Sequence, residues 1–453
     1  MSAKEKKRGR RQFMKEGAAL AGFAVGAGVI RAASGQTLGS EAPAGRPPAG
    51  RPKDTRAYSE RSRFETSSRW AIKGDWEHPE TVFAPSRTPL QDLLGGIVTP
   101  SGLHYFIDES SPYPLPDIDP RQHRLLISGL VDRPLIFTVE ELKLLPSVSR
   151  MHFLQCTVGG IRERNFIEFH ETAQMMYGST SCSEWTGVLL SLLLKEAGLQ
   201  AGARYVTSAG AERGRRAYSI SLEKALDDVI VAYGQNGEAL RPEQGYPVRL
   251  IVPGWQGHNS IKWLRQIKVM DRPGMTKGDG LARLGPDGKM TIREEVLDPR
   301  SCITFPSGGQ QVPGPRLYEI RGLAWAGVGL VRRVEVSTDG GRTWKDAALQ
   351  EPVFRKAHTR FRLPWNWDGE ETVLQSRCTD DKGNVEPTVA DVRGKWGDNP
   401  DNWRAAAPAS WKVTREGRVH NATFGPNMSP PPAPGTPAQN ALNLDPGWKE
   451  WSC

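Results

Sequence analysis

One cysteine of the chain lies where a strand-like run meets a pair of glycines. Residues 151–160 read MHFLQCTVGG, so Cys156 ends an apolar run and enters a glycine-containing turn. A thiolate in that position can face a bound cofactor, because glycines let another group approach the backbone closely. A cysteine at a strand end is, however, more often a packed structural residue. Cys156 is therefore a candidate metal ligand that needs support from the rest of the chain.

A second stretch combines cations, glycines and small polar residues. Residues 243–264 read EQGYPVRLIVPGWQGHNSIKWL, with Arg249 in an apolar run and Lys262 after a glycine-rich turn. This stretch resembles the pterin-binding segment of the sulfite oxidase family of molybdopterin enzymes. Other runs resemble that family's sulfane/sulfite dehydrogenase branch, the molybdenum subunits of the bacterial Sox sulfur-oxidation system: SCSEWTGV at 181–188, YGQNGEALRP at 233–242, SGGQ at 307–310, LAW at 323–325 and a hairpin at 334–344. The resemblance covers about residues 90–415.

The resemblance assigns roles to residues of both stretches. Cys156 is implied to be the thiolate ligand of molybdenum, and so a catalytic residue. Arg249 and Lys262, with the backbone around Ser260 and Ile261, are implied to bind the phosphate and the pterin of the cofactor. That assignment agrees with the chemistry, because an anionic phosphate needs cations and backbone donors.

The resemblance also implies a reaction and its partners. Molybdenum in this family catalyses oxo transfer, so we expect oxidation of a small sulfur-containing substrate, with electrons leaving singly to a c-type cytochrome. The sequence contains no C-x-x-C-H haem-attachment motif, so the cytochrome is expected to be another chain. The family forms homodimers through its C-terminal domain, and a homodimer carrying a molybdenum–molybdopterin cofactor is therefore expected.

The predicted substrate pocket departs from that of sulfite-oxidising relatives. Asp108 and Glu109 stand where relatives place Arg and His, Leu281 replaces a tyrosine, and the Gly-Asn turn after the metal cysteine is missing. Arg162 or Arg164 could substitute in part for the missing cations, and Arg283 could also compensate; of these, Arg162 is the candidate catalytic residue. Gln244 stands where relatives often have a cofactor-contacting histidine, and its amide can still bond the pterin. Because acids repel the sulfite dianion, we expect a less anionic sulfur compound or another oxo-transfer substrate.

The N-terminus has the pattern of an export signal. The run RRQFMK at 10–15 precedes an apolar, Gly- and Ala-rich segment and then small residues, which is typical of a twin-arginine signal peptide. The apolar segment is too short and too rich in glycine to span a bilayer stably. We therefore expect a periplasmic protein without a stable membrane span.

The net charge of +9 is concentrated in the first part of the chain. Residues 1–35 carry eight Lys or Arg against two Glu, and residues 36–69 carry seven against four acids. The remaining body is close to neutral. A broad phosphate-binding face, and with it a nucleic-acid partner, is therefore not expected.

Cysteine usage supports a metal ligand rather than a disulfide framework. The five cysteines are few and odd in number for an exported chain, and none forms a C-x-x-C pair. Cys182 is predicted to be a small buried residue, and Cys302, Cys378 and Cys453 are predicted to be structural or incidental. A thiol kept unpaired in an oxidising compartment needs a reason, and metal ligation at Cys156 supplies one.

The pattern of strands and helices predicts an α+β chain. A mixed α/β molybdopterin domain of the sulfite oxidase type is followed by an immunoglobulin-like β-sandwich that dimerises. Strands are predicted at 124–129, 246–252, 332–337, 360–363, 372–377 and 389–392, and helices at 188–199 and after the capping box of Thr138 and Glu141. The expected divisions are a twin-arginine signal peptide at 1–35, a flexible or wrapping arm at 36–89, the molybdopterin domain at 90–298, the dimerisation domain at 299–415 and an irregular tail at 416–453.

Three other functions fit parts of the sequence. A periplasmic sulfoxide-type reductase uses the same cofactor fold, but such relatives lack the C-terminal immunoglobulin-like domain. A non-enzymatic binding or assembly protein could keep the fold without the metal, in line with the altered pocket residues. A β-sandwich adhesion module would leave the α/β half and the export signal unexplained.

Overall fold

The computed structural model describes residues 64–71, 86–93, 95–107, 115–156, 172–211, 217–274, 282–284, 290–292, 296–388, 391–392, 394 and 408–423. Residues 68–453 form one compact unit, to which all elements below belong. The predicted signal peptide at 1–35 lies outside the described residues, as do Asp108, Glu109, Arg162 and Leu281. No helix within the described ranges has the length and hydropathy that crossing a bilayer requires.

The segment predicted as a flexible or wrapping arm at 36–89 ends in ordered structure. Strand β1 (Trp70–Ala71) pairs antiparallel with β2 (Ser86–Arg87). Arg87 is almost completely buried, and Leu90 just beyond it joins the core. The last residues of that segment therefore pack into the molecule instead of extending from it.

The first half contains a sheet that carries the candidate metal ligand. It has the order β10-β9-β6-β5, with β11 also pairing with β9, and every pair is antiparallel. Its strands are β5 (Val148–Gln155), β6 (Thr180–Leu189), β9 (Ile230–Gln235), β10 (Glu238–Ala239) and β11 (Arg249–Ile251). The predicted strand at 246–252 thus shortens to β11.

The first half also contains a second five-stranded sheet. It runs β4-β3-β12-β7-β8, in which only β3 and β12 pair in parallel. Its strands are β3 (Leu125–Gly129), β4 (Leu135–Phe137), β7 (Tyr205–Gly210), β8 (Ala217–Ser221) and β12 (Leu264–Met270). The predicted strand at 124–129 is confirmed to within one residue. A short hairpin of β13 (Ala282–Leu284) and β14 (Met290–Ile292) follows.

The helices are short, and they are α1 (Val139–Lys143), α2 (Ala173–Tyr177), α3 (Leu190–Ala197) and α4 (Leu222–Asp227). The capping box before α1 is confirmed, because the Thr138 side chain accepts from Glu141 N while Glu141 accepts from Thr138 N. The helix predicted at 188–199 begins only at Leu190. The SCSEWTGV run at 181–188 lies inside β6, with a bulge between Thr186 and Gly187.

The second half is the predicted β-sandwich. A four-stranded sheet has the order β15-β16-β20-β19, and a five-stranded sheet has the order β18-β17-β21-β22-β23. The strands are β15 (Arg300–Phe305), β16 (Arg316–Trp325), β17 (Val331–Ser337), β18 (Lys345–Asp346), β19 (Ala348–Leu349), β20 (Thr359–Trp367), β21 (Thr372–Asp380), β22 (Ser410–Val413) and β23 (Val419–Asn421).

Two predictions about this half are wrong. Of the strand predicted at 389–392, Asp391 and Val392 are helical, while 389 and 390 lie outside the described residues. The tail predicted as irregular after 416 contributes β23, which pairs with β22 at the edge of the sheet.

One hydrophobic core joins the two halves. Phe153 of β5 and Tyr177 of α2 belong to the same buried cluster as Trp325 of β16 and Phe361 of β20. Complete burial of a side chain such as Phe153 stabilises the fold by about 1.5–3 kcal/mol. Strand β5, which leads to Cys156, is therefore held in place by packing of Phe153 against the β-sandwich.

Candidate active site

Cys156 follows directly on β5 and is half-buried at the end of that strand. Its backbone N–H donates to Ser179 O at 2.9 Å, which holds the residue against the start of β6. The thiol side packs against a buried cluster that includes Tyr105, Leu154 and Trp185. The four cysteines within the described ranges form no disulfide, and Cys182, Cys302 and Cys378 are buried. Burial raises the pKa of the Cys182 thiol to about 12, so this thiol stays protonated.

The second chemical stretch lies directly beside Cys156. Gln155 and Gln256 form a parallel β-bridge, so the turn at 256–260 runs along the end of β5. Gly257 permits this approach, because a Cβ there would lie 2.9 Å from the Tyr105 hydroxyl and 3.0 Å from Gln155 O. The structure thus brings together the cysteine and the cation-containing stretch that the sequence placed a hundred residues apart.

Arg249 is buried in this site and is oriented by its neighbours. Its Nη1 donates to Gln244 Oε1 at 2.8 Å and to Gln244 O at 3.2 Å. The guanidinium carbon lies 5.5 Å from the centroid of the Trp185 ring, in a cation–π arrangement. Gln244 in turn donates from Nε2 to Tyr105 O at 3.0 Å. Both ends of the Gln244 amide therefore have hydrogen-bond partners within the protein, and the partner of its oxygen is the Arg249 guanidinium.

Ser260, Ile261 and Lys262 follow the same turn. Ser260 and Ile261 are buried, and Ser260 Oγ accepts from Val252 N at 3.0 Å, which closes the loop on itself. Lys262 Nζ donates to Ile107 O at 3.2 Å and lies 4.5 Å from the Phe106 ring centroid. The lysine thereby holds the segment that precedes the altered pocket residues.

His104 and Tyr105 belong to this site, and the sequence did not predict them. His104 is completely buried, with its ring stacked on Tyr105 at 5.1 Å between centroids. Burial, assisted by the charge of Arg249, lowers the pKa of His104 to about 3, so the imidazole is neutral. Burial raises the pKa of the Tyr105 hydroxyl, and neighbouring Cys156 adds to the rise. The signal that could have found them is position, since they precede Asp108 in the segment where relatives carry pocket cations.

The β-sandwich contributes a further contact to strand β5, which precedes Cys156. Trp325 Nε1 donates to Gln155 Oε1 at 2.8 Å, one residue before Cys156. Thr180, whose hydroxyl donates to Leu154 O at 3.2 Å, also bonds His358 Nε2 at 3.0 Å. Burial lowers the pKa of His358 to about 3, and Arg360 adds to the lowering. The neutral imidazole is thus a fixed packing and hydrogen-bonding group.

The residues of the site fit a molybdopterin cofactor. The site offers a half-buried thiol beside a glycine turn, with Arg249 and Lys262 close to that turn. Buried polar atoms without a hydrogen-bond partner among the described residues include Asn259 Oδ1 and His104 Nε2. A polar pterin can satisfy such atoms, and an anionic phosphate matches the cations. Within the described ranges no three His, Cys, Asp or Glu side chains gather as a metal cluster.

Comparison with known proteins identifies the family. The model of the oxidoreductase molybdopterin binding domain matches residues 112–277, and that of the Mo-co oxidoreductase dimerisation domain matches residues 292–403. The sulfane dehydrogenase SoxCD from Paracoccus pantotrophus, a crystal structure, superimposes with a TM-score of 0.73 and 34% sequence identity, covering 82% of this chain and 95% of that chain. The chain belongs to the sulfite oxidase family of molybdopterin oxidoreductases. The predicted cofactor, the α+β fold and the resemblance to the sulfane dehydrogenase branch are thereby confirmed.

Nitrate reductases are also similar to this family member. The NADH nitrate reductase of Ulva prolifera is 28% identical over 362 residues, and nitrate reductase [NADH] 1 of Phaseolus vulgaris is 33% identical over 369 residues. These matches cover 69% and 71% of this chain. The chain spans about two fifths of the length of those relatives, 41% in both cases. The roles of Cys156, Arg249, Gln244 and the turn at 260–262 stay predictions.

Proposed function

We propose that this oxidoreductase is exported by the twin-arginine route to the periplasm, where it oxidises a sulfur compound as a homodimer and passes electrons to a c-type cytochrome. The observation that carries the proposal is the bridge between Gln155 and Gln256, which places Cys156 beside the cation-containing turn. The likeness to a sulfane dehydrogenase supports a sulfur substrate. The match to a dimerisation domain supports the homodimer.

The chain's own residues divide the work of the site. When bound, the molybdenum cofactor supplies two-electron oxo transfer. Cys156 provides the thiolate, held by its N–H bond to Ser179 O. Arg249, aimed by Gln244, and Lys262 bind the anionic part of the cofactor. Neutral His104 and the protonated Tyr105 hydroxyl add no charge near the thiolate.

The substrate is proposed to be less anionic than sulfite. Oxidation adds one oxygen from water to the substrate sulfur and releases two protons and two electrons. The cytochrome accepts the electrons one at a time. The sequence places Asp108 and Glu109 where relatives have cations, and two carboxylates oppose the binding of a dianion. Arg162 is the cation proposed to orient the remaining polar substrate atoms.

Steady-state assays of the molybdenum-loaded protein test this proposal. The assays use oxidised cytochrome c as the electron acceptor. They compare three substrates: sulfite, a sulfane sulfur bound to a thiol, and an uncharged thioether, which is oxidised to a sulfoxide. We expect turnover of the sulfane or neutral compound and weak turnover of sulfite, with none in Cys156→Ser. Sulfite turnover at rates ordinary for the family would refute the proposed pocket. Reduction of nitrate by dye-reduced protein, with no sulfur oxidation, would assign the chain to the reaction of its nitrate reductase relatives.

Metal analysis separates the enzyme from a metal-free binding protein. We expect close to one equivalent of molybdenum in protein expressed with intact cofactor synthesis. Less than about one tenth of an equivalent of molybdenum in pure, folded protein would refute the proposal that the chain is a molybdenum enzyme, because the thiolate would then bind no metal.

Export and assembly have their own tests. Arg10→Lys with Arg11→Lys is expected to leave the protein in the cytoplasm, whereas Arg31→Lys, in the same leader, is expected not to. Cell fractionation measures the difference. Light scattering on the purified protein measures the mass, and a monomer at micromolar concentration would contradict the homodimer.

A further inference from the structure

Lys356 has a backbone conformation that lysine rarely adopts. Its φ is +53°, in the left-handed region that favours glycine. A non-glycine residue in this region is strained and persists where its surroundings hold it. The side chain of Lys356 is mostly buried, at 13% exposed, so contacts inside the protein hold this backbone conformation.

The Lys356 ammonium ends in a buried ion cluster with residues of the molybdopterin-binding half. Its Nζ lies 2.5 Å from Asp228 Oδ2, and Lys224 Nζ lies 2.5 Å from Asp228 Oδ1. Lys224 also donates to Pro253 O at 2.8 Å. Burial lowers the pKa of Lys224 to about 8. The charge of Asp228 opposes this lowering, and the charge of Lys356 adds to it. Removing charges like these from water is costly, so stability alone is a poor explanation for the cluster.

The same residues reach both parts of the candidate active site. The Lys356 carbonyl accepts from Phe153 N at 3.0 Å, three residues before Cys156 on the metal-ligand strand. Pro253, bound by Lys224, lies three residues before Gln256 on the turn that pairs with that strand. Lys356 N donates to Gly329 O at 2.9 Å, which ties the lysine to the β-sandwich.

We propose that Lys356, Asp228 and Lys224 form a positioning clamp through which the β-sandwich sets the distance between the Cys156 strand and the cofactor turn. The lysine backbone fixes one side of the site, and its ammonium fixes the other side through Asp228 and Lys224. Lysine persists at a glycine-favouring position because glycine would keep the backbone contact but lose the ammonium. The clamp rests on the proposed role of Cys156 as the metal ligand.

Substitutions separate the clamp from a role in general stability. Lys356→Gly relieves the backbone strain but removes one of the two lysines that compensate the buried Asp228 carboxylate, so a fall in the unfolding temperature is expected together with the local changes below. The same variant is expected to retain molybdopterin about tenfold less well, as is typical when a group supporting a metal site is lost. Asp228→Asn is expected to act in the same direction, and Lys356→Arg to restore part of the retention. Glu370→Gln is the control, because it breaks an exposed pair with Arg415 in the same half of the chain.

Hydrogen exchange and pterin content are the measurements. In Lys356→Gly and Asp228→Asn, amide exchange is expected to rise in peptides covering 151–156 and 252–257, and to stay unchanged in β16 and β20. Pterin retention is followed by the fluorescence of its oxidised form after dilution. Unchanged exchange and retention in both variants would overturn the clamp, and so would a uniform rise in every sheet.

These measurements keep the clamp distinct from the proposed reaction. Exchange is read on metal-free protein and retention is read without substrate. A loaded protein that turns over none of the sulfur compounds would refute the proposed substrate and leave the clamp standing. Normal turnover with unchanged retention in Lys356→Gly would refute the clamp and leave the proposed reaction standing.

Discussion

Arg249 donates a 2.8 Å hydrogen bond from Nη1 to Oε1 of Gln244, the residue that stands where relatives often have a histidine. The other end of the Gln244 amide donates to Tyr105 O at 3.0 Å. The resemblance allows this amide to bond the pterin, and that contact stays a prediction. In the structure the amide oxygen of Gln244 holds a buried cation, so Gln244 can also influence the cofactor through Arg249.

Gln244→Ala is expected to weaken molybdopterin retention about tenfold, because Arg249 loses the acceptor that aims it. Retention is measured by the fluorescence of the oxidised pterin after gel filtration. Gln350→Ala is the matched control, since Gln350 accepts from the guanidinium of Arg362 at 3.1 Å far from Cys156 in the sequence. Equal retention in the two variants would show that Gln244 does not act through Arg249.

Cys156→Ser is expected to abolish molybdenum binding without unfolding the protein, because the side chain is only half-buried. Metal content by elemental analysis checks the first part, and circular dichroism checks the second. Cys182→Ala is the control: it removes a buried thiol that accepts from His358 N at 3.5 Å. That control is expected to cost about 1–2 kcal/mol of stability while keeping the metal. Molybdenum retained in Cys156→Ser would refute the assigned ligand.

Glu386 predicts a dependence of stability on pH. Its carboxyl is buried in the β-sandwich and accepts from Ser301 Oγ at 2.6 Å and Cys378 N at 3.1 Å. Burial raises the pKa of Glu386 from 4.5 to about 7, although Ser301 and Arg300 oppose the rise. The folded protein therefore binds this proton more tightly than the unfolded chain. Its contribution is complete below pH 4.5 and is lost as pH rises through about 7.

Glu386→Gln is accordingly expected to flatten that dependence. At one pKa unit per 1.36 kcal/mol, the wild-type carboxyl loses about 3 kcal/mol by pH 8. Thermal unfolding of both proteins from pH 4.5 to 8 measures the difference. Glu319→Gln, in an exposed pair with Arg362, provides the control. Parallel curves for wild type and Glu386→Gln would contradict the prediction.

Thr138→Ala tests the capping box of α1. The hydroxyl accepts from Glu141 N at 3.2 Å, and its loss is expected to cost about 1 kcal/mol of the free energy of unfolding in urea. Glu140→Ala, a first-turn acid whose side chain is 77% exposed, should cost only a few tenths. A smaller loss for Thr138→Ala than for Glu140→Ala would show that the box does not stabilise the helix.

The sequence predicted the chemistry of the site better than its framework. Local signals located Cys156 at a strand end and the caps of α1, because these depend on neighbouring residues. Strand β6 was not predicted, and its last two residues were assigned to the helix at 188–199. It is buried on both faces, so its residues do not alternate between apolar and polar. An apolar run such as 188–194 fits a strand and a helix equally well by periodicity.

Contacts between distant segments could not be read from the sequence. Trp325 and Lys356 support the Cys156 strand from the β-sandwich, yet neither carries a local signal for that role. His104 and Tyr105 became site residues only when the segment at 101–107 folded against Gln244 and Gly257. Strand β23 forms because β22 offers it an edge, which its own short sequence does not indicate.

The shared core has a consequence for modularity. The two family-model matches, 112–277 and 292–403, look like separable pieces of sequence, but Phe153, Tyr177 and Trp325 lie in one cluster. A gene fragment ending between those pieces would encode strand β5 without the sandwich residues that pack against it. A chimaera that joins a new molybdopterin-binding half to this chain therefore has to match the core residues of the sandwich, and separating the two pieces is expected to destabilise both.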